Sequence, residues 1–352
     1  MGKVQLWTSQ NASWAILRGA WVIVFVVSLI AIGNDRATAW APQGPPQNAA
    51  RVSSKPDGAD SGVSLEELEQ GIATSKLQDS AQNLSEYLRN HPDSSRAHYD
   101  LGYVEFLAHS FGVSITELSK SLELNPANAE AHKILALDCS IVGRYDMAEV
   151  ELQQAVRLKP ESAEIHYFLA RTYYSRGVYP LAESEFEEAL RLDPHNTKAY
   201  SNLGITLEAL GDTDGALKNY QIAARLDDQQ KQKSEWPYIY MSGFYNRQHR
   251  ATEALAYARK AMAVNPLSDA PYFEMAKAYR TQGDLQKATD AIQKAIAING
   301  KAPHYYYVLG LLLRELGRQK ESEQVLAKFA ELQSGHASAD HVQQEPLIAE
   351  PN

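Results

Sequence analysis

From Ala163 onward the chain places His166, Leu169, Ala170 and Tyr173 at i, i+3, i+4 and i+7, which is one face of a helix. After Ser175, Arg176 and Gly177, a second segment sets Ala182, Phe186 and Ala189 on one stripe. It stops at Leu192, Asp193 and Pro194, because proline cannot continue a helix. The stretch therefore predicts a helical hairpin, and it recurs. Pro126, Pro160 and Pro194 are 34 residues apart, as are Gly143, Gly177 and Gly211, and Ala148, Ala182 and Ala216. Gly283 and Gly317 keep the same step, while Gly211 to Gly283 is 72, two periods plus four, which puts a four-residue insertion near 227–233. Four residues are about one helical turn.

Within each period small residues, Gly102, Ala136, Ala170, Gly204 and Ala276, fall where two helices must approach closely. Leu101, Leu135, Leu169, Leu203 and Leu309 stand beside them, and fully burying one leucine contributes about 1.5 to 3 kcal/mol. The pattern resembles the tetratricopeptide repeat, W-x2-L-G-x2-Y followed by A-x3-F and P. Tyr200, Leu203, Gly204, Leu207, Ala216, Tyr220 and Ala223 make the best copy. Seven copies begin near Ser95, Ala129, Ala163, Thr197, Glu235, Asp269 and Pro303. The first departs at Glu105 and Ser114, and the fourth has Asp228 in place of proline. The resemblance implies an all-α fold, a right-handed superhelical solenoid of antiparallel helix hairpins.

Outside the copies the pattern changes. Residues 20–32 are apolar except for Ser28, too short for the roughly 20 residues that span a bilayer, and Ala37-Thr38-Ala39 offers a small-x-small cleavage site. Residues 1–39 are expected to be a signal peptide, or else an uncleaved anchor, and the protein to be exported, to the periplasm or beyond if the source is bacterial. Residues 40–60, rich in Pro, Gly and Ser, read as a flexible linker. Residues 61–94 read as a degenerate capping hairpin ending at Pro92, 95–334 as the seven copies, and 335–352 as a disordered tail.

Charge and chemistry narrow the function. A net charge of −9 disfavours nucleic acid, whose phosphates need clustered Lys and Arg. Cys139 is the only cysteine, so a disulfide framework and a four-cysteine zinc site are excluded. No H-E-x-x-H, G-x-S-x-G or Gly-rich phosphate loop is present, and the short stretch after the last copy is expected to leave no room for a catalytic domain. His98, His132 and His166 share the 34-residue period, but neighbouring helices stand about 8 to 10 Å apart, too far for one ion to collect them. They are expected to fill the hairpins, with no metal and no cofactor.

In the family, the first-helix face turned from the hairpin core lines a concave groove. Those offsets collect Tyr99, Tyr103, Phe106, Lys133, Tyr167, Arg171, Tyr174, Trp236, Phe273, Lys277, Arg280, Tyr307 and Arg314. With Arg96, Lys198 and Arg247 set against Glu130, Glu164, Glu208 and Glu315, this face sums to +4. Aromatic residues beside arginine are the composition of binding hot spots, and an extended acidic protein or peptide segment suits them. The family's clamp for a chaperone's terminal carboxylate needs Lys and Asn one turn apart. Lys133 is followed by Leu137, and Lys198 with Asn202 lacks the rest of the set. The expectation is a non-enzymatic scaffold in cell-envelope or secreted assembly. The alternatives are a membrane-tethered adaptor, with membrane contact only if the N-terminal segment is retained, and, last, an enzyme.

Overall fold

The computed structural model describes residues 77–342, with side chains to Ser334. The segments expected to be a signal peptide or anchor, a linker and the first part of a capping hairpin lie outside the described residues, as do residues 343–352.

The described residues form 15 helices and no strand. They fall into two compact units divided after Pro160. The first holds α1 (Leu77–Asn90), α2 (Ser95–Leu107), α3 (Phe111–Leu124), α4 (Ala129–Ile141) and α5 (Tyr145–Leu158). The second begins with α6 (Ala163–Ser175), α7 (Tyr179–Leu192), α8 (Thr197–Leu210), α9 (Thr213–Asp228) and α10 (Trp236–Arg247). It continues with α11 (Ala251–Val264), α12 (Ala270–Thr281), α13 (Leu285–Ile298), α14 (Pro303–Glu315) and α15 (Gln319–Val342). In both units each even-numbered helix packs on the next odd-numbered one, so each unit is a stack of antiparallel hairpins. α15 continues past Ser334, where the tail was expected to start, because no proline interrupts the sequence before Val342.

The start and stop of each helix follow from local chemistry. Ser94, Asn128, Ser162 and Asn196 accept backbone N–H bonds from the first turns of α2, α4, α6 and α8. First helices end in a left-handed residue whose successor donates back to the last turn, as Arg144 N–H does to the Cys139 carbonyl at 2.7 Å. Five of these turns use glycine, Gly143, Gly177, Gly211, Gly283 and Gly317. The other two use His109 at φ 60° and His249 at φ 56°. A side chain there costs about 1 to 2 kcal/mol.

The helices approach closely at the small residues. A Cβ added to Gly102 would come within 2.7 Å of Leu118, and one added to Gly204 within 2.6 Å of the Tyr220 ring. Where serine replaces a small residue at this seam, its hydroxyl donates to the opposite helix: Ser322 to the Gly310 carbonyl at 2.7 Å, Ser242 to that of Ala254 at 2.8 Å. The four-residue insertion is absorbed partly by α9, which runs 16 residues where α7 runs 14. Asp227 then accepts from the Ser234 N–H and Asp228 from the Tyr238 hydroxyl, closing the turn that proline closes elsewhere.

Candidate functional site

The hairpins direct one face of each first helix away from its own second helix, and in the second unit these faces belong to α6, α8, α10, α12 and α14. Polar side chains knit them together. Asn202 of α8 donates to the Tyr167 hydroxyl of α6 at 3.2 Å. Arg247 of α10 holds Glu208 of α8 with two hydrogen bonds, one at 2.9 Å from Nε, and the Tyr220 hydroxyl donates to the same carboxylate at 2.7 Å. Asn246 of α10 donates to the Glu274 side chain of α12 at 2.7 Å, and Arg280 of α12 reaches Glu315 of α14. Apart from the Tyr220 bond, which stays within the α8–α9 hairpin, each tie joins the first helix of one hairpin to the first helix of the next.

This arrangement alters the expected charge of the face. Lys277 lies 2.9 Å from Glu274 in its own helix and 5.0 Å above the Phe273 ring. Arg171 stands 5.8 Å from the Tyr167 ring centroid. Cations that the sequence offered to a partner therefore serve first to hold the face together. Burial works against the Arg247 charge, but the Glu208 carboxylate more than compensates, and its pKa lies above the ordinary guanidinium value.

Aromatic rings fill the spaces between these ties. Trp236 and Tyr240 sit with centroids 6.2 Å apart, Tyr174 and Tyr179 at 5.4 Å, and Phe273 meets His304 edge-on at 5.1 Å. Burial pushes the His304 imidazole down to about 4, so the ring is neutral at physiological pH. Tyr174, Trp236, Phe273, Arg171 and Lys277 are half-buried, while Arg280, Tyr307 and Arg314 are exposed, Tyr307 by 42%. Tyr167 is buried, with its ring against Phe168 and Phe186. Its expected place on an open face is corrected accordingly.

The first unit corrects the sequence reading further. Lys133 is only 2% exposed, and its ammonium lies 2.6 Å from Glu130, which Lys159 also reaches at 3.2 Å. Burial raises the Glu130 pKa, but the two ammonium groups outweigh it and hold the carboxyl below its usual range. Tyr103 is buried and stacks on half-buried Tyr99 with centroids 6.4 Å apart, and half-buried Phe106 leans on Phe111. Lys133 and Tyr103 are thus interior packing groups, because the turn of α4 brings Glu130 directly against the lysine.

The periodic histidines have periodic partners. Nδ1 of His98, His132 and His166 lies 2.6 Å from Glu117, Glu151 and Glu185 respectively, each 19 residues on in the second helix of the same hairpin. Cys139 is buried, and burial lifts its thiol to about 11, far from a nucleophile's range. Glu274, Asn246 and Tyr240 were absent from the sequence-derived set. Glu274 could have been found from its i, i+3 spacing to Lys277.

The tetratricopeptide repeat model matches residues 72–129, 142–197, 169–231, 245–303 and 273–337, more than half of the chain. The chain belongs to the tetratricopeptide repeat family. Tetratricopeptide repeat domains generally bind proteins or peptides. A solved tetratricopeptide repeat protein from Parabacteroides merdae ATCC 43184 is similar at a TM-score of 0.61 and 16% identity, over 70% of this chain and 96% of that one. Yeast Tom70 is similar at 0.59 and 15%, over 83% of this chain and 68% of that one. In the APC/C hetero-tetramer Cut9-Hcn1 the matched chain gives 0.57 and 16% over 70% of this chain and 48% of that one, so this repeat protein spans about half its length. At these identities the likeness concerns the fold alone. No curated protein matches the sequence. Among the described residues no helix is long and apolar enough to cross a membrane.

Proposed function

We propose that this tetratricopeptide repeat protein is a non-enzymatic scaffold whose second unit holds an extended, acidic protein segment along its first-helix face. The observation that supports this reading most is the exposed group at the α12 and α14 end, where Arg280, Tyr307 and Arg314 stand on a face already fastened by the Arg247–Glu208 and Asn246–Glu274 ties. A rigid face with a protruding aromatic and arginine is suited to hot-spot contacts, because little side-chain and backbone freedom is lost on binding. The half-buried rings of Trp236 and Phe273 extend the same surface toward α10. The partner is a protein or peptide rather than nucleic acid, and the protein works after export, in envelope or secreted assembly. Contact with a membrane depends on retention of residues 1–39, which N-terminal sequencing of the mature protein decides.

Affinity purification with wild type and with the double variant Tyr307→Ala, Arg314→Glu tests the reading. The wild type should recover a discrete partner that the variant loses while keeping its helical signal. Equal recovery by both would remove this face from the account.

A further inference from the structure

Asp138 occupies a position in α4 that is apolar or neutral in every other first helix. The equivalent residues are Val104, Thr172, Thr206, Phe244, Ala278 and Leu312, all buried. Asp138 is itself 0% exposed, and its Oδ1 has no hydrogen-bond partner. Its Oδ2 lies 2.6 Å from the Ser114 hydroxyl of α3, and the same hydroxyl lies 2.8 Å from the Gly102 carbonyl of α2. A serine carries one hydrogen and a carbonyl can only accept. In the last hairpin Ser322 makes the same bond to the Gly310 carbonyl, as its one side-chain hydrogen allows, so that bond is the seam's own. With the Ser114 proton committed to Gly102, the contact to Oδ2 needs a hydrogen from the carboxyl.

We propose that Asp138 is held as a neutral carboxylic acid donating to Ser114, and that this proton fastens the joint between the first two hairpins of the first unit. Loss of the proton leaves a buried anion facing a hydroxyl whose one hydrogen cannot serve both neighbours. The joint, α3 against α4, is therefore tight in acid and loosened in alkali.

The electrostatic surroundings agree with the geometry. Burial pushes the Asp138 carboxyl up to about 7, opposed only by the Ser114 hydrogen bond. No charged group of α2, α3 or α5 contributes to that shift. On the same helix His132 faces Glu151 and Arg157 of α5 and the Pro126 carbonyl, so its own response to pH must be separated. A carboxyl whose pKa is higher folded than unfolded stabilises the fold fully below its ordinary value, and the contribution is lost as pH rises through the folded value.

The test is urea unfolding of the full chain between pH 4 and 8, wild type against Asp138→Asn, whose amide mimics the neutral acid. The wild-type equilibrium constant for folding the first unit should fall, relative to that of the variant, by up to about tenfold per pH unit between pH 4 and 7. Identical pH profiles for the two proteins would overturn the proposal. Infrared difference spectra at pH 5 and 8 supply a second readout that does not depend on the variant's stability. A protonated-carboxyl stretch from a buried group should shrink at pH 8 and be absent from Asp138→Asn. Its absence from wild type at pH 5 would equally overturn the proposal.

Discussion

The two units use the same hairpin but place their polar bonds differently. In the first unit, His98 with Glu117 and His132 with Glu151 clasp the two helices of one hairpin. Each imidazole also reaches the carbonyl six residues earlier, Pro92 at 2.9 Å and Pro126 at 3.1 Å, so the clasp includes the entering turn. The second unit keeps one such clasp, His166 with Glu185 in its first hairpin, and its later hairpins carry tyrosine at this position, Tyr200, Tyr238, Tyr272 and Tyr306. Tyr306 makes the equivalent bond to the turn, donating to the Gly300 carbonyl at 2.9 Å. Their ion pairs run instead from hairpin to hairpin, Glu208 to Arg247 and Arg280 to Glu315. The difference teaches that a repeat fixes the backbone with its small, large and proline positions, and leaves its charged residues to decide whether single hairpins or successive ones are braced.

The largest effect expected from breaking this contrast is at Tyr220, which is fully buried against Gly204 and holds Glu208 through its hydroxyl. Tyr220→Ala should cost about 3 to 5 kcal/mol in urea unfolding of the second unit, as large aromatic truncations do. Next is Arg247→Met, which keeps the stem and removes the charge. Glu208 then retains only the tyrosine hydroxyl, and about 2 kcal/mol should be lost. A double-mutant cycle with Glu208→Gln should recover much of that loss if the pair is the cause.

The clasp of the first unit predicts a smaller, pH-dependent loss. Burial opposes the His132 charge, but the hydrogen bonds to Glu151 and to the Pro126 carbonyl outweigh it and raise the pKa. A raised histidine stabilises the fold fully below its ordinary value, and the contribution fades as pH rises through the folded value. His132→Ala should therefore destabilise more at pH 5 than at pH 9 in matched thermal melts. The smallest effect is a gain. Replacing His109 or His249 by glycine relieves a left-handed side chain in the first and second units respectively, and each should stabilise its unit by about 1 kcal/mol or less, read as a rise in melting temperature.

Much of the fold was legible because sterics impose the period. Proline at 126, 160 and 194 cannot be helical, glycine at 143, 177 and 211 takes a left-handed turn, and Gly102 or Gly204 admits the opposing Leu118 or Tyr220. The face was less legible. Lys133 and Tyr167 share an offset with exposed Tyr307, yet their exposure depends on what the neighbouring helix places against them. Ion-pair partners 39 and 35 residues apart, as for Glu208 with Arg247 and Arg280 with Glu315, depend on how one hairpin is rotated against the next, which no local pattern encodes. The histidine clasps were different, since a His and a Glu 19 apart occur three times in succession. The buried Asp138 breaks the pattern by one carboxyl, and its meaning depended on the neighbouring hydroxyl.

The claim that the second unit presents the partner surface is tested most directly by site-specific photo-crosslinking in cells that make the protein. A photoreactive residue at Tyr307 should yield one discrete adduct, and the same residue at Val150, exposed on the first unit, should yield none. An adduct from Val150 with none from Tyr307 would contradict the account.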